Sequence, residues 1–176
     1  RRRASGYVAR PATGTMRIVH TEAASCERAR GTVVVIDVLR SFTTAACALS
    51  RGANAVIAVE SVDAARRLQQ VDPTLWTLGA LGGGAPAPGL QMGNSPSLMH
   101  TVDLRGRTVV QASAGGTRTL WHCEAADALF AAALVNATAT ARQLQRLAPP
   151  LVTLVTTGRW HDRDGDEDQA CADLIE

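Results

Sequence analysis

The sequence predicts an α/β fold, with a mostly parallel sheet flanked by helices on both faces, from three observations. Short apolar runs rich in β-branched residues recur, among them Thr32 to Ile36, Thr108 to Ala112 and Leu151 to Thr156. Stretches of helical periodicity alternate with them, and polar residues gather where the runs end. Such alternation builds parallel sheets whose strands are covered on both sides and whose ligands sit at the strand C-terminal ends.

Arg17 to His20 is the first strand-like stretch, opened by Met16. Thr32 to Val38 is the second, followed by a helix from about Thr43 to Arg51. Ala55 to Val59 ends at Glu60, and Ser61 then caps a helix through Gln70, with Asp63 favouring its N-terminus. Leu75 to Leu78 is a short strand. The glycine- and proline-rich stretch Gly79 to Asn94 reads as a loop, and Ser95 and Pro96 as the cap and first residue of another helix. Thr108 to Ala112 is closed by Ser113, Ala114, Gly115 and Gly116 before a helix from Thr117. A strand over Ala126 to Ala131, the helix Ala137 to Leu147 capped by Asn136, and the strand Leu151 to Thr156 complete the alternation. An acidic loop follows, then an amphipathic stretch with Ala170, Cys171, Leu174 and Ile175 on one side, which reads as a helix cut short at Glu176. A Rossmann-like three-layer sandwich over 16–176 is expected, with 1–15 a disordered extension.

A chain of 176 residues with 46% apolar residues is long enough for one domain with a full core. The net charge is +2 and lysine is absent, so every cationic side chain apart from histidine is an arginine. Aromatic residues make up 3%, too little for base-stacking platforms, which argues against nucleic-acid binding. Cys26, Cys47, Cys123 and Cys171 form no C-x-x-C pair, and His20, His100, His122 and His161 are scattered; none of the histidines is given a catalytic role. No apolar stretch is long enough for a membrane span, and Arg1 to Thr15 lacks the apolar core of a secretory signal, so a cytoplasmic protein is expected.

The chemistry gathers at the junction Asp37 to Thr44. Asp37 is suited to a hard cation such as Mg²⁺, Arg40 to a phosphate or sulfonate, and Thr43 and Thr44 open a helix. A simpler reading makes Asp37 a helix cap. Glu60, Asn94 with Ser95, Ser113 with Thr117 and Arg118, and Glu167 with Asp168 follow other strand ends. Each taken singly is equally readable as a turn, a cap or a solvated charge. Gly79 to Gly84 is no dinucleotide motif, because Pro86 and Pro88 block the required helix. The alternating Asp162, Asp164, Asp166 and Asp168 place glycine wrongly for an EF-hand.

The chain resembles the magnesium-dependent 2-phosphosulfolactate phosphatases. The likeness rests on Val35 to Arg40 with its threonines, Val59-Glu60-Ser61, Gly93 to Pro96, Gly116-Thr117-Arg118, Asn136-Ala137, and Glu167-Asp168 with Cys171-Ala172, in order from about Met16 onward. It implies hydrolysis of 2-phospho-3-sulfolactate to 3-sulfolactate and phosphate by Mg²⁺-activated water, and a homo-oligomer, most simply a dimer. On this reading Asp37, Arg40, Arg118 and Glu167 are catalytic. Thr43, Asn94, Ser95, Ser113, Thr117 and Asn136 bind substrate, and Asp37, Glu60, Glu167 and Asp168 hold the metal. An aspartyl-phosphate route through Asp37 is less favoured, for want of a D-x-D spacing. The chain departs from the family at Ala80, where a glutamate is usual, at Gly115, where an asparagine is usual, and at Ser41 and Phe42, where small residues and threonine are commoner. Family members also continue for about another strand and helix. These departures leave open a relative that binds a small phosphate or sulfonate without turnover, or a phosphatase of other specificity.

Overall fold

The computed structural model describes residues 15–81, 86–158 and 164–176. The expected N-terminal extension and part of the acidic loop lie outside the described residues. Among the described residues seven strands alternate with five α-helices: β1 (Arg17–Glu22), β2 (Thr32–Ile36), α1 (Thr43–Ser50), β3 (Ala55–Val59), α2 (Val62–Val71), β4 (Trp76–Gly79), β5 (Thr108–Ala112), α3 (Gly116–His122), β6 (Ala128–Ala132), α4 (Ala137–Leu147), β7 (Leu151–Thr156) and α5 (Asp166–Ile175). Every strand pairing is parallel.

The strands form two hydrogen-bonded sheets, in the orders β1-β7-β2-β6 and β3-β5-β4, rather than the one sheet expected. A side chain sits at the break. Trp121 of α3 donates its indole N–H to the carbonyl of Ala58, 3.0 Å away, and so occupies a backbone acceptor of edge strand β3.

Burial explains why the runs are strands. Val33, Val34, Val35 and Ile36 are all fully buried, because β2 lies between β7 and β6 with side chains covered on both faces. Each such side chain contributes about 1.5–3 kcal/mol. The smaller sheet is covered twice. Val109 packs with Ala48, Leu78, Met99 and Leu104 on the α1 side, while its neighbours Val110 and Ala112 pack with Val59 and Ala65 on the α2 side.

Several local expectations are corrected by packing. Ser61 does cap α2, its hydroxyl accepting from the Ala64 N–H at 3.2 Å. Ser95 and Pro96, by contrast, start only a 3-10 turn over Ser97–Thr101, in which the Leu98 and Met99 N–H groups reach the carbonyls of Ser95 and Pro96. Asn136 precedes α4 without capping it, since its amide instead accepts from the Ala133 N–H and donates to the Ala131 carbonyl. In α5 the buried residues are Asp168, Cys171, Ala172 and Ile175, spaced i, i+3, i+4, i+7. Ala170 and Leu174 are exposed, so the inward face is rotated from the one expected and carries a carboxylate.

Cys26, Cys123 and Cys171 are buried free thiols, and burial pushes Cys123 up to about 12 and Cys171 up to about 11. Cys47 is only half buried. Thiol labelling of the folded protein at pH 8 should therefore modify Cys47 at least about tenfold faster than the other three, with all four reacting after denaturation. Rapid native labelling of Cys123 would contradict this packing.

Candidate active site

Strand register assembles the site before any side chain is considered. Ile36 lies level with Ala132 and Thr156, so Asp37, Ala133 and Thr157 leave the larger sheet side by side. Val59 and Gly79 lie level with Ala112, so Glu60, Ala80 and Ser113 leave the smaller one together.

Asp37 joins the two groups. It ends β2 and opens the tight turn Val38–Phe42, and it is 7% exposed. Its Oδ1 accepts from the Ser41 N–H at 3.0 Å and its Oδ2 from the Gly116 N–H at 2.7 Å. Gly115 and Gly116 are small because this carboxylate is there: a Cβ on Gly116 would lie 2.8 Å from Asp37 Oδ2 and 2.9 Å from the Phe42 ring. Asp168 is an equivalent brace from α5. Its Oδ1 accepts from the Val38 N–H at 2.8 Å and its Oδ2 from the Thr157 N–H at 2.9 Å.

A second network reaches across from β5. Gln111 is 1% exposed and donates to the Ser41 carbonyl and to Asn94 Oδ1, each at 2.8 Å. The Ser41 hydroxyl in turn donates to Ser113 at 3.1 Å. Ser113 and Thr117 close their turn reciprocally: the Ser113 N–H donates to Thr117 Oγ1 at 2.7 Å, and the Thr117 N–H to Ser113 Oγ at 2.9 Å. Sequence reasoning missed Gln111, and its signal was there, a long polar side chain inside an apolar strand. It also missed Thr157, whose hydroxyl donates to the Ile36 carbonyl at 3.0 Å.

The predicted residues are therefore brought together unequally. Asp37, Asp168, Ser113, Thr117 and Asn94 form one buried hydrogen-bonded centre. Glu167 is close enough for its charge to act on Asp37. Arg40 is exposed on the Val38–Phe42 turn, and Arg118 is exposed on α3, lining two neighbouring cavities of about 380 and 580 Å³. Glu60 lines the larger of these, along with Ala80, Ser113 and Arg66. The Thr43 hydroxyl donates to the Val38 carbonyl at 2.6 Å, and Ser95 meets Ser97, so both serve local turns. Asn136 likewise braces backbone.

Burial dominates the electrostatics. It pushes Asp37 up to about 6, and the charges of Asp168 and Glu167 push the same way, against the lowering effect of the Ser41 and Gly116 N–H groups. Burial raises Asp168 as well, opposed by its backbone donors. Among the described residues no three His, Cys, Asp or Glu side chains could hold a metal unaided. Mg²⁺ asks for less: it takes one or two carboxylates and completes its shell with water and phosphate oxygens. Asp37, Asp168 and Glu167 are the carboxylates available for such a set; both oxygens of Asp37 and of Asp168 also accept backbone N–H groups, and of the two Asp37 is the more exposed, 7% against 1%.

The sequence profile of the 2-phosphosulpholactate phosphatases matches residues 18–176. The chain belongs to this family. Relatives each named a probable 2-phosphosulfolactate phosphatase include one from Symbiobacterium thermophilum, 36% identical over 85% of this chain and 64% of its own length. Another, from Carboxydothermus hydrogenoformans, is 40% identical over 65% of this chain and 47% of its own. A third, from Microcystis aeruginosa, is 38% identical over 81% and 59%. The chain thus spans about half to two thirds of the length of these family members.

Two outcomes follow from the Asp37 geometry. Gly116→Ala should cost about 1–3 kcal/mol, because neither the carboxylate nor the Phe42 ring can move without breaking other contacts; an unchanged Tm would contradict the close approach. In chelator, Asp37 is a carboxyl whose folded pKa exceeds its unfolded one. Its stabilising contribution is complete below about 3.8 and is lost as pH rises through about 6. Thermal unfolding should show stability falling across that window, with Asp37 responsible for about 3 kcal/mol of the fall. Asp37→Asn should flatten the slope, and an unchanged slope would show that Asp37 titrates normally.

Proposed function

We propose that this protein hydrolyses the phosphate ester of 2-phospho-3-sulfolactate to 3-sulfolactate and phosphate, with Mg²⁺ as cofactor. The observation that carries the reading is the meeting of Asp37, Asp168 and the Ser113–Thr117 turn at adjoining strand ends, beneath exposed Arg118, in a chain of this family.

The reaction breaks the bond between phosphorus and the ester oxygen, forms one to a water oxygen, and passes a proton to the departing alkoxide. Uncatalysed it is extremely slow, so positioning and charge stabilisation must supply most of the acceleration. Mg²⁺, held by Asp37 and Glu167, would supply neutralising charge at the phosphoryl oxygens and make water a better nucleophile. The Ser41 and Gly116 N–H groups hold the Asp37 carboxylate in place for that role. Arg40 and Arg118 bind the anionic groups through planar forks. Asn94 gives its Oδ1 to Gln111, which leaves its NH₂ side as the donor toward a ligand. Ser113 and Thr117 act mainly by holding the turn that carries Arg118.

The same reading includes a homodimer, supported by exposed Ile57, Trp121 and Leu129 on or beside the unpaired edges of β3 and β6. It places the enzyme in the cytoplasm, as four free thiols favour. No helix among the described residues is long and apolar enough to cross a membrane.

The test is phosphate release from 2-phosphosulfolactate with Mg²⁺ and with chelator, for wild type beside Asp37→Asn, with circular dichroism showing that the variant is folded. Turnover should fall at least about a hundredfold on removing either the metal or the carboxylate. A folded wild type that is stabilised by phosphate yet releases none would mark an anion-binding relative instead.

A further inference from the structure

Two side chains of α3 line the smaller cavity, and the sequence reading used only one. Arg118 and His122 are four residues apart, which on a helix brings their Cβ atoms within about 5–6 Å on one side. Both line the 380 Å³ cavity, as do Gly115 and Thr157. Those last two connect it to the buried carboxylates: a Cβ on Gly115 would lie 3.0 Å from Asp37 Oδ2, and the Thr157 N–H donates to Asp168. His122 is half exposed, with its Nε2 4.0 Å from Glu60 Oε1. Glu27, on the separate 3-10 turn Ala23–Arg28, is the one carboxylate residue in the lining, so the cationic character of the cavity comes from α3.

Such a pair matches a particular ligand chemistry. An ester with strong anions on adjacent carbons has two charge centres a few ångströms apart, much as Arg118 and His122 are spaced. The guanidinium fork suits phosphoryl oxygens. An imidazole N–H can donate to an oxygen of a second anion beside it. The geometry points to His122 as the specificity-determining residue that binds the second anionic group of the substrate, the sulfonate, while Arg118 takes the phosphoryl group. This rests on the phosphatase reading above and deepens it.

The test compares wild type with His122→Gln on 2-phosphosulfolactate and on 2-phospholactate, the same ester with a methyl in place of the sulfonatomethyl group. KM for phosphosulfolactate should rise about tenfold or more with kcat little changed, and KM for phospholactate should change less than about twofold. Equal rises for the two substrates, or none, would overturn the assignment. Should the wild type hydrolyse neither ester, the phosphatase reading fails by itself and calorimetric titration with 3-sulfolactate and lactate decides the role of His122. A preference for sulfolactate that disappears in His122→Gln supports it. A preference equal in both proteins, or no preference, overturns it.

Discussion

A buried carboxylate accepting backbone N–H groups from distant segments is the constraint on which this structure depends. Asp37 leaves β2 and is met by Ser41 of its own turn and by Gly116 from 79 residues further along. Removing a carboxylate from water is costly unless its oxygens are satisfied, so the donors must be there whenever the chain is folded. That requirement dictates the path of the Val38–Phe42 turn, the two glycines at the start of α3, and the docking of one sheet against the other. Asp168 imposes the same condition on β2 and β7, through Val38 and Thr157.

The arrangement carries an electrostatic tension that chemistry can use. Two carboxyl groups share one low-dielectric region with Glu167 close by; burial raises both aspartates, the charges of Asp168 and Glu167 adding to the rise at Asp37 and that of Glu167 to the rise at Asp168. On the proposed function, a cation bound there would relieve the repulsion, and an anionic substrate would bring its own charge toward Arg40 and Arg118 on the exposed side. Rigid backbone ladders hold the acids while the arginines stand on the surface. On the proposed function, positioning and charge neutralisation, the two things phosphoryl transfer demands, would come from different layers of the structure.

Much of this was legible because strand ends are legible. Asp37 and Ser113 follow the β-branched runs of β2 and β5 directly, and parallel pairing in register places the loops after neighbouring strands on one edge. β3, β5, β7 and α4 have the bounds their periodicity suggests, since there the local pattern and the burial agree. Ser95 and Pro96 misled: their residue types suit a helix start, but buried Met99 and the extended Val102 hold the segment to a 3-10 turn. In α5 the apolar pattern misled too, because the decisive inward residue is the polar Asp168.

The sequence by itself determined the order of strands and helices, the parallel sense of the pairing, and which loops carry acids, hydroxyls and arginines. Those properties depend on hydrophobic period and on chain connectivity, both local in the chain. Only the tertiary structure decided that Asp168 accepts backbone N–H groups from two segments, that Gln111 orients Asn94, that the strands divide into two sheets beside Trp121, and that His122 shares a cavity with Arg118. Each of those is a contact between residues far apart in the chain. Its partner is chosen by how closely packed elements approach one another, and the spacing of residues along one segment carries no record of that choice.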